Sequence, residues 1–391
     1  MIDITKLWCR LETPSVQLRY GSGGGSAGQR KPIVVWSSTK QCNLKCVHCY
    51  ADSYGEKGEN ELTGAEARNM IDDLAAWGVS ALLFSGGEPM IRPDFLELAS
   101  YAVSKGLRVT VSTNGTLITP EIARKLKELN ITYVGISFDG IGPINDKFRG
   151  VDGAFEKALK GLRNLKAAGQ KMGLRFTLTR HNTENLDKIF DFIEKEEIPR
   201  ACFYHLVYSG RGKGISKDDL THAESRKAMD MMIERAEALA KRGKPIEILT
   251  VDNPCDGVYL YLKLLKKDPE RAKAVLKILE WNGGGANGSG ATLSNVDWNG
   301  DIHPDQFWQD LTLGNVRDIP FSKLWGEGKH PVLASLRNRL PLLKGRCGTC
   351  AWKDICGGGF RVRAFRATGD MWAADPACYL TDEEISVKPA V

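Results

Sequence analysis

The chain has 391 residues, 42% of them hydrophobic and 26% charged, with a formal net charge of +6. This composition is that of a globular protein with ample core material. Its lysines and arginines are spread along the chain, which argues against a nucleic-acid-binding face, and no run approaches the roughly 18 apolar residues of a membrane span. The first residues lack the basic segment followed by an apolar segment that is typical of a secretory signal. We therefore expect a cytoplasmic protein, in which its ten cysteines are more often metal ligands than disulfides.

In chain order, residues 1–31 read as a short lead-in and a glycine-rich polar linker. From residue 32, apolar strands then alternate with helices. Strands are expected at 32–38, 79–87, 107–115, 131–140, 171–180 and 201–210. Helices are expected at 62–78, 94–106, 120–130, 153–169, 185–198 and 222–243. Thr63 is a plausible N-cap, Gly78 a stop, and Pro120 takes the favoured first-turn position.

The six strand–helix repeats predict an α/β chain with a parallel sheet and helical crossovers. Either a doubly wound open sheet or a partial barrel satisfies this pattern, and in both cases ligands should bind at the carboxyl ends of the strands. After residue 245 the regular alternation of strands and helices changes. Residues 245–251 are compatible with one more strand, 256–281 with helix and 282–290 with a glycine-rich loop, and a hairpin should turn at Asn299-Gly300.

Three cysteines stand close together directly after the first predicted strand. They are Cys42, Cys46 and Cys49, and Tyr50 follows them. Thiolates in such a group suit zinc or an iron–sulfur cluster. A closed zinc site needs four ligands, whereas three thiolates on a four-iron cluster leave one iron free. Coincidental core cysteines are the alternative, which this spacing at a strand end disfavours.

C-x3-C-x2-C with a following aromatic, placed after the first strand of a strand–helix series, resembles the signature of radical S-adenosylmethionine (SAM) enzymes. The resemblance implies a partial (β/α)6 TIM-like barrel over residues 32–245, with a 4Fe-4S cluster on the three cysteines and SAM at the open iron. It also implies that Gly86, Gly87 and Glu88 bind the amino group of SAM. The implied chemistry is reductive cleavage of SAM to methionine and a 5'-deoxyadenosyl radical, fed by a low-potential electron donor such as ferredoxin or flavodoxin.

Polar residues end the third and fourth predicted strands, in "STNG" and "SFDG". By the same resemblance, Ser112 and Asn114 lie near the cofactor, and Ser137 and Asp139 lie near its ribose and methionine portion. Arg149 would meet the SAM carboxylate, for which a guanidinium fork is suited. The alternative for these residues is ordinary turn and cap chemistry.

A second group of cysteines lies near the C-terminus, with the pattern C-x2-C-x5-C-x21-C. Its members are Cys347, Cys350, Cys356 and Cys378. Four thiolates suit a structural zinc. Within the radical family, however, the pattern resembles an auxiliary 4Fe-4S domain of the SPASM or twitch type, which implies a second cluster in a smaller C-terminal iron–sulfur domain over 291–391, joined by a helical connection over 246–290. Cys9, Cys202 and Cys255 are scattered and read as unpaired buried thiols.

The N-terminal segment and the stretch 287–308 narrow the resemblance to the radical enzymes of the alternative haem and haem d1 pathways. These enzymes trim side chains from sirohaem-derived iron tetrapyrroles. The implied reaction removes two acetate arms from 12,18-didecarboxysiroheme to give iron-coproporphyrin III. Propionate removal in haem d1 synthesis and propionate decarboxylation to haem are the sibling alternatives. A peptide-modifying radical maturase and a non-catalytic metal scaffold are the more distant ones.

A tetrapyrrole with several carboxylates needs basic and aromatic contacts. Candidates are Arg175, Arg211, Arg361, Arg363, Arg366, Trp298, Phe307 and Trp308, although each one alone also suits a surface charge or core packing. His303 and His205 are candidate ligands of the substrate iron, with a simple hydrogen-bonded histidine as the alternative. His48 reads as an intervening residue of the first cysteine motif.

Overall fold

The fold is described from a computed structural model that covers residues 1–13, 31–244, 246–282 and 288–387. Most of the predicted N-terminal linker and part of the predicted glycine-rich loop lie outside the described residues. Within these ranges no helix is long and apolar enough to cross a membrane.

Strands and helices alternate along most of the chain. The strands are β1 (Ile2–Asp3), β2 (Ile33–Ser37), β3 (Ala81–Ser85), β4 (Val109–Thr113), β5 (Tyr133–Ser137), β6 (Met172–Leu178), β7 (Arg200–His205), β8 (Glu247–Val251), β9 (Leu293–Val296), β10 (Asp301–His303) and β11 (Gly314–Asn315).

The helices cover the crossovers between the strands and most of the C-terminal region. They are α1 (Ile4–Leu7), α2 (Gly64–Trp77), α3 (Phe95–Ser104), α4 (Pro120–Glu128), α5 (Pro143–Arg149), α6 (Ala154–Ala167), α7 (Leu186–Lys195), α8 (His222–Lys241), α9 (Cys255–Lys267), α10 (Pro269–Trp281), α11 (Phe321–Glu327), α12 (Pro331–Arg337), α13 (Gly345–Thr349), α14 (Lys353–Cys356), α15 (Arg361–Thr368) and α16 (Asp382–Ser386).

One sheet holds the described strands in the order β1-β8-β7-β6-β5-β4-β3-β2-β9-β10-β11. Each neighbouring pair from β2 to β8 is parallel. The sheet is open, with β1 at one edge and β11 at the other, which confirms the predicted α/β partial barrel. β8 adds a seventh parallel strand to the six that were predicted. It lies after residue 245, the predicted end of the barrel. The predicted domain limits stay a prediction.

The C-terminal region joins the same sheet at the other edge. β9 pairs parallel with β2, with Ile33 opposite Leu293 and Trp36 opposite Val296. β9 and β10 form the predicted hairpin, which turns at Gly300 with φ of +85°. The first cysteine group follows β2, so the strand that carries it lies between β3 and β9.

Local signals in the sequence set the helix limits near the site. α2 begins after Thr63, whose hydroxyl accepts from the Glu66 N–H while the Glu66 carboxylate accepts from the Thr63 N–H. It ends at Gly78, which has left-handed backbone geometry (φ 79°). α4 begins with Pro120 in its first turn. These three predictions are confirmed.

Candidate radical site and second cysteine cavity

The first cysteine group lies in the loop between β2 and α2, at the carboxyl ends of the parallel strands. Cys42 and Cys46 are buried and Cys49 is half-buried. Polar hydrogens point at their sulfurs: the Leu44 N–H lies 3.4 Å from Cys42 Sγ, and the Ser53 N–H lies 3.5 Å from Cys49 Sγ. Donors directed at sulfur stabilise thiolates, which are the metal-binding form.

The glycine turn after β3 packs directly against the start of the cysteine loop. Gly87 N–H donates to the Thr39 carbonyl at 2.7 Å, and Glu88 N–H donates to the Gln41 carbonyl at 2.8 Å. A Cβ on Gly87 would lie 2.0 Å from the Gln41 oxygen. The glycines are therefore required by the close approach of two backbone segments, a reason that the sequence pattern did not reveal.

Glu88 is fully buried behind this turn. Its carboxylate accepts from the Thr113 hydroxyl at 2.8 Å, the Asn114 N–H at 2.8 Å and the Met90 N–H at 3.2 Å. Burial raises its pKa to about 7, against the effect of these donors. The side chain thus connects the ends of β3 and β4.

Asn114, next to Glu88, contacts the cysteine loop directly. Its side-chain amide donates to Asn43 Oδ1 at 2.8 Å and lies 3.9 Å from Cys42 Sγ. Both Glu88 and Asn114 therefore fix the position of the cysteine loop through protein contacts.

A charged network lies under the other end of the cysteine loop. Asp139 Oδ2 is 2.5 Å from Arg149 Nη2 and 3.5 Å from His48 Nε2. The Arg149 guanidinium also lies 3.6 Å from Cys46 Sγ. Burial lowers the pKa of His48 to about 4, so the imidazole is neutral at pH 7, and Asp139 neutralises Arg149.

A cavity of about 540 Å³ opens at the carboxyl ends of the strands, beside the cysteine loop. Ser112, Ser137 and Arg149 of the predicted SAM contacts line it, whereas Glu88 and Asn114 lie behind it in the contacts described above. Its other lining residues are His48, Tyr50, Arg175, Thr177, Tyr204, His205, Leu206, Val207, Asp252 and Phe307.

The second cysteine group lines a separate cavity. Cys347, Cys350, Cys356 and Cys378 all contribute to it. In the described residues no three His, Cys, Asp or Glu side chains are arranged to hold a single metal ion. A four-iron cluster has a different requirement, because each of its cysteine thiolates binds a different iron, so the thiols lie further apart than around one ion.

Cys255, at the start of α9, lies beside Cys378 of this group. A hydrogen bond from Cys255 lowers the pKa of the Cys378 thiol. The sequence gives no signal for this contact, because the two cysteines are far apart along the chain and belong to different predicted segments. A fifth thiol therefore lies next to the four that line the second cavity.

Most of the arginines predicted to bind substrate have protein partners instead. Arg363 and Asp375 form a fully buried ion pair at 2.8 Å. Arg361 donates to the carbonyls of residues 371 and 373 at 2.9 and 2.8 Å, and Arg366 pairs with Asp310. Arg211 donates to the Cys46 carbonyl at 2.7 Å. These four side chains stabilise the fold, and only Arg175 of the five lines the cavity beside the first cysteine group.

The two candidate ligands of the substrate iron, His303 and His205, also differ in whether they line the cavity. His303 is fully buried, with Nδ1 3.0 Å from the Leu311 carbonyl and Nε2 3.6 Å from Asp297 Oδ2, and it does not line the cavity, which favours the hydrogen-bonded alternative. His205 does line the cavity, with Nε2 directed at Asp256. Of the aromatic candidates, Phe307 lines the cavity, whereas the Trp308 indole donates to Ser289 and Trp298 lines a different surface cavity.

Residues 36–193 match the model of the radical SAM superfamily. The chain is 51% identical to the Fe-coproporphyrin III synthase of Methanosarcina barkeri over 98% of this chain and 99% of that protein. It is 45% identical to the pre-heme d1 synthase of Dinoroseobacter shibae over 91% of this chain and 88% of that protein. The solved structure of native anSMEcpe with bound AdoMet and Cp18Cys peptide shares the fold, with a TM-score of 0.66, 21% identity, and coverage of 89% of this chain and 94% of that one.

Proposed function

Because this chain belongs to the radical SAM superfamily and is an enzyme of that class, we propose that it removes two acetate side chains from 12,18-didecarboxysiroheme. The product is iron-coproporphyrin III. The observation that carries this proposal is the near full-length similarity to Fe-coproporphyrin III synthase. The cavity beside the first cysteine group supports it, since it presents both a guanidinium and aromatic side chains.

The family binds a 4Fe-4S cluster and SAM, and we assign the cluster to Cys42, Cys46 and Cys49. The donors directed at their sulfurs fit thiolate ligands. When bound, the cluster and SAM supply one-electron cleavage of the sulfonium and removal of a hydrogen atom from substrate. The protein's part is to hold the loop against the Gly86–Glu88 turn and to keep one face of the site open to the cavity.

We assign the SAM-binding role to the polar residues around that face. Ser112 and Ser137 line the cavity and are suited to hydrogen bonds with the cofactor's polar groups. Arg149 is suited to its carboxylate, and Asp139 sets the orientation of that guanidinium. Gly86, Gly87 and Glu88, in the turn that packs against the cysteine loop, would meet its amino group.

We assign a second, auxiliary 4Fe-4S cluster to Cys347, Cys350, Cys356 and Cys378, which line one cavity. A low-potential electron donor such as ferredoxin or flavodoxin would reduce the clusters. None of the ten cysteines forms a disulfide, a state that suits the reducing cytoplasm.

The sibling reaction on a haem d1 precursor is the second candidate, since the similarity to pre-heme d1 synthase also covers most of the chain. A peptide substrate has less support, because the peptide-bound structural neighbour shares the fold alone.

The test is anaerobic reconstitution, followed by incubation with SAM, a reductant and 12,18-didecarboxysiroheme. Tetrapyrrole mass and 5'-deoxyadenosine are followed together, with Cys46→Ala as the variant that should form neither product. Loss of two acetate arms supports the proposal. Formation of 5'-deoxyadenosine with an unchanged tetrapyrrole, while the haem d1 precursor loses propionates, would replace it with the sibling reaction.

A further inference from the structure

Arg175 differs from Arg149, the other arginine of the cavity, because among the described residues its guanidinium makes no hydrogen bond and no ion pair. Its guanidinium lies over the Tyr204 ring at 4.5 Å. Among the described residues no hydrogen bond or carboxylate within ion-pair distance neutralises it, and it lines the cavity. Arg175 is half-buried, and a guanidinium whose donors are not used by the protein favours an anionic ligand.

The strand next to β6 is shaped to admit this side chain. Gly135 of β5 lies beneath Arg175, and a Cβ at Gly135 would lie 2.8 Å from Arg175 Cδ. Ser137 is the direct cross-strand neighbour of Arg175. The guanidinium is therefore placed by the sheet next to a predicted SAM contact, where the reacting part of a substrate must lie.

The other charged groups of the cavity do not engage the Arg175 guanidinium. Arg149 pairs with Asp139, and His48 Nε2 lies 3.5 Å from the same carboxylate. Asp252 also lines the cavity, and with a pKa that burial raises to about 6 it is ionised at neutral pH, but within the described ranges no hydrogen bond or ion pair joins it to Arg175. The hydrogen-bond donors of the Arg175 guanidinium therefore remain for a ligand.

We propose that Arg175 binds the carboxylate of a tetrapyrrole acetate arm and holds that arm beside Ser137. This inference rests on the proposed function. A guanidinium binds a carboxylate through two parallel hydrogen bonds, which orient it as well as attract it. Stacking on Tyr204 fixes the plane of the guanidinium before the substrate arrives. The SAM carboxylate is the other possible ligand with the same chemistry.

The experiment uses the reconstituted enzyme with both clusters and measures the Kd of 12,18-didecarboxysiroheme by absorbance and the Kd of SAM separately. Arg175→Gln should raise the tetrapyrrole Kd by about tenfold or more and leave the SAM Kd within about threefold of wild type. Arg175→Lys, which keeps the charge without the fork, should show a smaller loss. Iron-coproporphyrin III, which lacks acetate arms, should bind wild type and Arg175→Gln about equally.

Arg200→Gln is the matched control, because Arg200 also stacks on a tyrosine at 4.5 Å but pairs with Glu247 at the opposite end of the neighbouring strand. It should leave both dissociation constants unchanged. A SAM Kd that rises while tetrapyrrole binding is unchanged would assign Arg175 to the SAM carboxylate and overturn the proposal, as would a variant that binds both ligands normally. Wild type that binds no tetrapyrrole would instead overturn the proposed function itself.

Discussion

His205 and Asp256 form a buried pair between the cavity and the second cysteine site. His205 Nε2 lies 3.0 Å from Asp256 Oδ2, and the Tyr379 hydroxyl donates to Asp256 Oδ1 at 2.6 Å. Tyr379 directly follows Cys378 in the chain. One carboxylate therefore connects β7, the start of α9 and the C-terminal cysteine segment.

Removing the Asp256 charge should destabilise the enzyme. Burial alone would lower the pKa of His205, but Asp256 raises it overall; burial alone would raise the pKa of Asp256, but His205 lowers it overall. Each partner thus favours the charged form of the other in the folded protein. Asp256→Asn leaves a buried histidine without its partner at a cost of about 3–5 kcal/mol, which thermal unfolding should show as a drop of several degrees.

The pH dependence gives this pair a distinct signature. Because the folded pKa of His205 is raised, its contribution to stability is full below its usual pKa near 6.5 and is lost as pH rises through the folded pKa. Asp256→Asn should reduce that loss. Asp230→Asn is the control, since Asp230 also accepts from a tyrosine but is partly exposed. An equal effect of the two substitutions would contradict the special role of the buried pair.

Iron content can distinguish the cysteines that bind the second cluster from a cysteine that only lies beside it. Cys378→Ser should lower the content of the reconstituted protein from about eight to about four irons per chain. Cys255→Ser should keep about eight, because we assign Cys255 as a hydrogen-bond donor to Cys378. Iron and sulfide analysis checks both variants, and Cys9→Ser serves as a control remote from both sites. A loss of iron in Cys255→Ser would make that thiol a ligand.

Glu88 should make stability fall with rising pH. Its folded pKa of about 7 is raised above the ordinary value of 4.5, so the folded state loses stability relative to the unfolded chain as pH rises between these values. Glu88→Gln should remove this part of the slope when thermal midpoints are measured without SAM from pH 5 to pH 8.

Glu66→Gln is the matched control for Glu88. Glu66 is a helix-capping carboxylate whose pKa is lowered to about 2, chiefly by its hydrogen bond with Arg317. It is ionised in both the folded and the unfolded protein across most of that pH range, so this substitution should leave the slope unchanged. An unaltered slope in Glu88→Gln would mean that its carboxyl is not the group that titrates.

Arg211 should slow the loss of iron from the first site. Its guanidinium donates to the Cys46 carbonyl at 2.7 Å and the Ser53 carbonyl at 3.0 Å, so it holds the cysteine loop to the segment after β7. Arg211→Gln should release iron to a chelator several-fold faster, because two charge-assisted hydrogen bonds are lost. Arg180→Gln, in an exposed ion pair with Glu224, should release iron at the wild-type rate, and equal rates for all three proteins would refute the assignment.

The sequence predicted those features that depend on neighbouring residues. Strand and helix periodicity located β2 to β7, and local caps such as Thr63 and Gly78 located the limits of α2. The C-x3-C-x2-C pattern identified the first cysteine group because its ligands lie within one loop. In each case the information lies within a short stretch of chain, where periodicity and spacing can be read directly.

Contacts between distant segments could not be predicted in this way. Arg363 looked like a candidate for substrate, but its guanidinium donates to Asp375 and to the Leu206 carbonyl. Cys255 looked like an isolated core thiol, although the fold brings it to Cys378. Arg175 resembled the other arginines in sequence, and only the fold shows that no described residue hydrogen-bonds to its guanidinium or forms an ion pair with it.

The pairing of β2 with β9 has a consequence for how the chain is made. Domains generally fold from the N-terminus as synthesis proceeds, but β2 acquires its second neighbour only when Leu293–Val296 has left the ribosome. Until then, the strand that leads into Cys42 is an exposed sheet edge, which is prone to pairing with other chains. Premature termination before β9 should therefore yield an aggregation-prone nascent chain, even though the first cysteine motif is already complete.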